Sequence, residues 1–186
     1  MQLTVRLAMV STLAVALTLP LAAQPTRAGL MGDLMKDVAD TQSKIVGLAK
    51  TMPETTYAWK PAPEVRSTGD VFLHVAADNY FIPAAMGIAP PAATGIDGKE
   101  YKSAVAFETR KMSRDQIIAE LEQSFAFLQT SMAAASDASL EGTIEAFGQK
   151  TTGRAMWLST TTHLHEHLGQ LIAYARSNKI TPPWSK

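Results

Sequence analysis

The chain has 186 residues and a mass of 20.0 kDa, the size of one ordinary domain of about 100 to 200 residues, which excludes a multidomain machine. Lys and Arg together number 17, as do Asp and Glu, and this balance excludes the basic surface of a nucleic-acid binder. Cysteine is absent, so disulfides, thiolate metal sites and a protein thiol nucleophile are ruled out, and any metal must be held by His, Asp or Glu.

Residues 1–28 read as a cleavable signal peptide. Arg6 is the only charge in the opening stretch, and Leu7 to Leu21 is an apolar run of the kind that forms the core of a secretory leader. It is shorter than the roughly 20 residues that a membrane span needs. Cleavage fits after Ala23 or after Ala28. The expectation is a periplasmic or secreted protein with no membrane span after processing, its single domain covering residues 29–186.

Four helical segments follow, and no run shows the sustained alternation of a half-buried strand. The first runs from about Gly32 to Lys50, with Leu34, Val38, Ile45 and Leu48 at helical spacing, and ends before Pro53. The prolines of Trp59-Lys60-Pro61-Ala62-Pro63 keep the next stretch out of helix. Ser67 with Asp70 then forms a capping box, opening a helix over about Thr68 to Tyr80, with Pro83 limiting its far end. Gly87 to Thr109 carries the turn signals Pro90-Pro91 and Asp97-Gly98 and reads as a long loop over the bundle end. Ser113 with Gln116 is a second capping box, before a helix bearing Ile117, Leu121, Phe125 and Leu128. Asp137 to Gln149 reads as a loose connection, and the last helix spans about Gly153 to Ser177, closed by Asn178 and Pro182-Pro183. The fold class is all-α, a four-helix bundle.

Only four histidines occur, and three of them fall within five residues: His163, His165 and His167. Residues four apart on a helix share a face, so His163 and His167 can both donate a ring nitrogen to one ion. His165, two positions from each, points away. Gln170 and Tyr174 continue the polar stripe of His163 and His167. Buried imidazoles without partners cost about 1 to 3 kcal/mol each, and a metal supplies a common partner. Three neutral imidazoles with an open position form a catalytic arrangement for zinc, and imidazole also suits nickel, copper and iron. His74 in the second helix is the remaining histidine that can complete the set, which requires the second and last helices to be adjacent.

Other residues carry less. His163-x-x-Glu166-His167 matches an inverted zinc-protease signature, but no Asp or Glu follows His167 to act as the further ligand. Asp78, four residues after His74, is placed to orient that imidazole through its other nitrogen, and Glu166, three after His163, is a second candidate for an outer partner. Tyr57, Trp59 and Trp157 read as core rather than pocket, and Lys60, Arg66, Lys99 and Lys102 as solvated charges.

The lead-in Trp59-Lys60-Pro61-Ala62-Pro63, the segment Leu73-His74-Val75-Ala76-Ala77-Asp78-Asn79 behind Ser67, and the run from His163 through Leu164, His165, Glu166, His167, Leu168, Gly169, Gln170 and Leu171 to Tyr174 and Arg176 together resemble the DinB-like superfamily of four-helix metal-binding proteins, which includes the YfiT-like proteins. The match covers about Leu30 to Ser177. The resemblance implies a DinB/YfiT-type bundle with His74, His163 and His167 as ligands of one divalent transition metal, zinc or nickel foremost, and Asp78, Glu166, Gln170 and Tyr174 around them. Characterised relatives include thiol-cofactor-dependent transferases and isomerases. The chain departs from the common pattern at Glu166, where relatives often carry another His, and in its exported character. Two functions fit: a metal-dependent hydrolase or transferase acting on a small molecule of unknown identity, or a non-catalytic binder of metal or small ligand. A homodimer is one option for its assembly.

Overall fold

The computed structural model describes residues 28–185; the signal peptide read over residues 1–28 lies, up to residue 27, outside them. The elements are α1 (Leu30–Thr51), α2 (Thr68–Ala85), α3 (Tyr101–Glu108), α4 (Arg114–Ala134), α5 (Asp137–Glu141), β1 (Thr143–Ala146), β2 (Gln149–Thr152) and α6 (Gly153–Ser177). The four long helices α1, α2, α4 and α6 close a ring in which α1 packs on α4, α4 on α2, α2 on α6 and α6 on α1. This is the all-α bundle expected from the periodicity, with α2 and α6 adjacent. No helix among the described residues is long and apolar enough to cross a membrane.

Each helix of the ring buries one stripe, as its spacing requires. In α1 the stripe is Met31, Leu34, Val38, Ile45 and Leu48, and in α4 it is Ile117, Leu121, Phe125, Leu128 and Met132. Both expected capping boxes form: Asp70 N–H donates to Ser67 Oγ and Ser67 N–H to Asp70 Oδ2, with Gln116 and Ser113 reciprocating in the same way. The exception to the one-face rule is α2, which is buried from Thr68 to Pro83 on nearly every position because α4, α6 and α3 enclose it. Its polar residues therefore need internal partners. Asn79 finds one across α4, donating to Ser124 Oγ at 3.1 Å.

Three expectations need correction. Helix α2 runs five residues past Tyr80 to Ala85, with Pro83 inside it. A proline forfeits one backbone bond and crowds one carbonyl, and near a helix end that costs little continuity. The long loop contains the helix α3, which buries only Ala104 and Phe107 and so leaves no extended apolar period to read. Ahead of it, a Cβ on Gly98 would stand 2.2 Å from the Ala84 carbonyl, so only glycine lets this segment lie directly on the end of α2. The loose connection holds α5 and an antiparallel hairpin with Ala146 opposite Gln149. Its turn, Phe147-Gly148, has φ of 55° and 72°, the positive pair that matches the twist of a two-residue hairpin.

Candidate metal centre

The proline-marked lead-in has a direct structural task. The first amides of α2 have no intrahelical acceptor, and here Thr68 N–H donates to the Trp59 carbonyl at 2.9 Å and Gly69 N–H to the Tyr57 carbonyl at 2.8 Å. With Ser67 closing the same end, α2 starts at a defined residue. The position of His74 along the bundle is set by that start.

From α6, His163 and His167 face α2 one turn apart, their ring centroids 4.4 Å from each other. The His74 ring stands 5.2 Å from that of His163 and 4.5 Å from that of His167. The three planes are near perpendicular to one another, at 76° to 83°. One nitrogen from each ring lies within 4.8 Å of the other two, so the three histidines can hold a metal ion.

The outward nitrogens determine which atoms face the centre. His74 Nδ1 is 2.6 Å from Glu108 Oε1, and His167 Nδ1 is 2.8 Å from Gln170 Oε1. Each acceptor holds a proton on Nδ1 and leaves the Nε2 lone pair free, the outer-sphere arrangement usual for ligating histidines. Both arms extend further. Arg66 clamps Glu108 Oε2 through Nε at 3.1 Å and Nη2 at 3.0 Å. Gln170 Nε2 donates to the Tyr174 hydroxyl at 3.0 Å, which donates to the Arg66 carbonyl at 3.2 Å. Trp59 packs edge-on against Tyr174 at 5.2 Å. The two arms thus meet at Arg66, one on its guanidinium and one on its backbone.

Burial drives the His167 pKa down to about 4, against the opposing pull of the Gln170 hydrogen bond and with help from the neighbouring His163 and His74. A ring held neutral at ordinary pH is the form that ligation needs. Burial, followed by the charges of Asp78 and Glu108, raises the pKa of Tyr101, whose hydroxyl lies within reach of Arg66.

The residues present fit a divalent transition metal. Asp78 Oδ1 and His163 Nε2 are buried without a hydrogen-bond partner, and buried polar atoms in that state call for a partner of opposite character. Imidazole nitrogens with a carboxylate at hand are the donor chemistry of zinc, nickel and iron. His74, Asp78 and Glu108 also come within 4.8 Å of one another, although Glu108 is engaged by His74 Nδ1 and Arg66.

The other residues singled out in the sequence fall as follows. Asp78 does not take the outer nitrogen of His74, which Glu108 occupies; its Oδ2 instead faces His163 Nε2 at 2.9 Å and His74 Nε2 at 3.5 Å. Glu166 is exposed on α6 and contributes a charge that favours protonated His167. His165 faces α1, its Nε2 being 2.9 Å from Asp37 Oδ2. Tyr57 and Trp157 are core residues and Trp59 packs partly buried against that core. Arg66, read as a solvated charge, is the clamp on Glu108. Neither Glu108 nor Arg66 was marked as functional by sequence: Glu108 ends a helix that has no period to read, and the only signal for Arg66 is its place directly before the Ser67 cap.

Two clefts open on the bundle, and none of the three facing histidines lines either of them. One of about 560 Å³ has Arg66, Glu108, Arg110 and Arg114 in its wall. The other, about 660 Å³, runs between α2 and the hairpin past Phe81, Tyr101 and Phe147. Both have the size of ordinary small-molecule sites.

The comparisons with known proteins agree with this architecture. The family model for the DinB superfamily matches residues 38–171, which takes in all three facing histidines and most of the bundle. The chain belongs to the DinB superfamily. Among solved structures, this DinB-superfamily chain is similar to a DinB-like protein from Bacillus cereus ATCC 10987, with a TM-score of 0.67 and 15% identity, covering 83% of this chain and 95% of that one. A DinB-like protein from Bacillus subtilis gives a TM-score of 0.61 and 18% identity over 80% and 93% of the two chains. A conserved protein from Enterococcus faecalis gives 0.65 and 14% over 81% and 97%. At these identities the likeness is one of fold. No curated protein matches the chain.

Proposed function

We propose that this protein binds one divalent transition metal, zinc or nickel, through His74, His163 and His167, and that it is a metal-dependent hydrolase or transferase acting on a small molecule. The observation that carries the reading is the convergence of three mutually perpendicular imidazoles, two of them with the outward nitrogen held by an acceptor. Within the site Glu108 and Gln170 hold the Nδ1 protons of His74 and His167 and so fix the ligating tautomer. Arg66 neutralises Glu108, keeping that carboxylate from competing for the ion. When bound, the metal supplies Lewis acidity to a substrate oxygen or to water. The partial exposure of the His163 side chain, 23%, favours the enzyme over a non-catalytic binder, because it leaves that edge of the centre open to a substrate. The leader pattern of Arg6 and Leu7 to Leu21 argues that it works outside the cytoplasm.

Calorimetric titration of zinc and nickel into the wild type and the His74→Ala, His163→Ala, His165→Ala and His167→Ala variants tests the reading. One ion per wild-type chain is expected, with binding lost in three variants and kept in His165→Ala. Binding should weaken as the medium is made acid, because ligation needs neutral imidazole. A wild type that takes up no ion, or a His74→Ala variant that binds normally, would overturn the assignment.

A further inference from the structure

Asp78 lies one helical turn after His74 on the face of α2 that meets α6, and it is only 7% exposed. A buried carboxylate is costly unless a cation or several donors compensate it. The one arginine at the centre, Arg66, is committed to Glu108. Asp78 Oδ1 has no hydrogen-bond partner at all. Its Oδ2 stands 2.9 Å from His163 Nε2 and 3.5 Å from His74 Nε2, yet His163 Nε2 is likewise without a hydrogen bond. The close pair is therefore not aligned as donor and acceptor.

Those separations have another meaning. Two ligands bound to one ion at about 2.0 to 2.2 Å, at tetrahedral or octahedral angles, sit roughly 3.0 to 3.5 Å apart. Asp78 Oδ2 keeps such distances from two of the three imidazole nitrogens that face the centre. The alternative task for a carboxylate here, orienting an imidazole from outside, is already filled at His74 by Glu108 and at His167 by Gln170. We infer that Asp78 is a fourth ligand, making the centre a three-imidazole, one-carboxylate site. The inference rests on the metal-binding reading above. It adds one negative charge and a hard oxygen donor to the set. Four protein ligands would close a tetrahedral zinc site, so an ion that also receives substrate here must accept five or six ligands, as nickel(II), iron(II) and manganese(II) do. The side open to such a ligand is that of His163, whose side chain is 23% exposed.

Nickel titration and the visible spectrum of the cobalt(II)-loaded protein, measured on wild type, Asp78→Asn and Glu108→Gln, separate a ligand from an outer partner. Loss of an outer partner costs about 10 to 100-fold in affinity. Glu108→Gln should fall in that range and keep the wild-type cobalt spectrum. Asp78→Asn should lose more than about 100-fold and shift the spectrum. If Asp78→Asn fails to fold, as circular dichroism would reveal, a crystal structure of the nickel-loaded wild type decides: an Asp78 oxygen bonded to the ion supports the inference. An Asp78 carboxylate beyond bonding distance, or an Asp78→Asn spectrum unchanged from wild type, overturns it while leaving the three-histidine site intact. A wild type that binds no metal overturns both.

Discussion

The Tyr57 hydroxyl, buried beside α1, donates to the Ala49 carbonyl at 2.7 Å, and the same residue's carbonyl receives the Gly69 amide that opens α2. Burial pushes its pKa up to about 12, against about 10 for an unfolded tyrosine. With the folded value above the unfolded one, the unfolded chain releases this proton first, so the stabilisation is complete below about pH 10 and is lost as pH rises toward 12. Tyr57→Phe should cost about 1 kcal/mol at neutral pH through the missing hydrogen bond, and should flatten the alkaline loss of stability. Urea unfolding of both proteins from neutral to alkaline pH measures this. Curves that run parallel throughout would assign the alkaline loss to other groups.

Among the elements, α6 does most to set the centre, and both of its ends are fixed. Its N-terminus is capped by Thr152 Oγ1, which accepts from the Ala155 amide at 3.2 Å. Its C-terminus closes through Lys179 N–H on the Arg176 carbonyl and Ile180 N–H on the Ala175 carbonyl, both at 2.9 Å, the paired bonds of a Schellman motif. That motif puts Lys179 at φ 60°, a conformation that costs a residue with a Cβ about 1 to 2 kcal/mol. Lys179→Gly should therefore stabilise the protein by about 0.5 to 1 kcal/mol, the cost being partly offset by the freedom glycine gains when unfolded. Thermal unfolding should show a midpoint about 1 to 4 °C higher. A lower midpoint would mean that the Lys179 side chain contributes more than its backbone costs.

For the molecule as a whole, a metal bridging α2 and α6 would staple two neighbouring members of the closed ring. Because an ion binds the folded site and not the dispersed histidines, it adds about 2.7 kcal/mol when free metal is a hundred times its dissociation constant. In a chain of this size that corresponds to a midpoint shift of roughly 5 to 10 °C. Scanning calorimetry with nickel and then with excess chelator should recover that difference, and His163→Ala should show none. Equal midpoints in the wild type would contradict a resident ion.

The starts of α2 and α4 and the course of α4 and α6 were legible in the residues themselves, because the capping boxes at Ser67 and Ser113 and the helical periods of α4 and α6 are local physics. Local too was the division of the clustered histidines: a helix puts His163 and His167 on one side and turns His165 to the other, where Asp37 receives it. The hairpin and α3 were not legible, since each is too short to bury a periodic face and draws its support from α2, α5 or α6. Nor was the environment of the rings. Which acid stands behind His74 and which faces the centre depends on how α3 lies across α2, and sequence spacing alone favoured Asp78 for the outer role that Glu108 fills. Spacing along a chain fixes which side chains share a helix face. The approach of a residue 34 positions away depends on a close contact such as that of Gly98 on Ala84, and packing of that kind is decided only when the whole chain has folded.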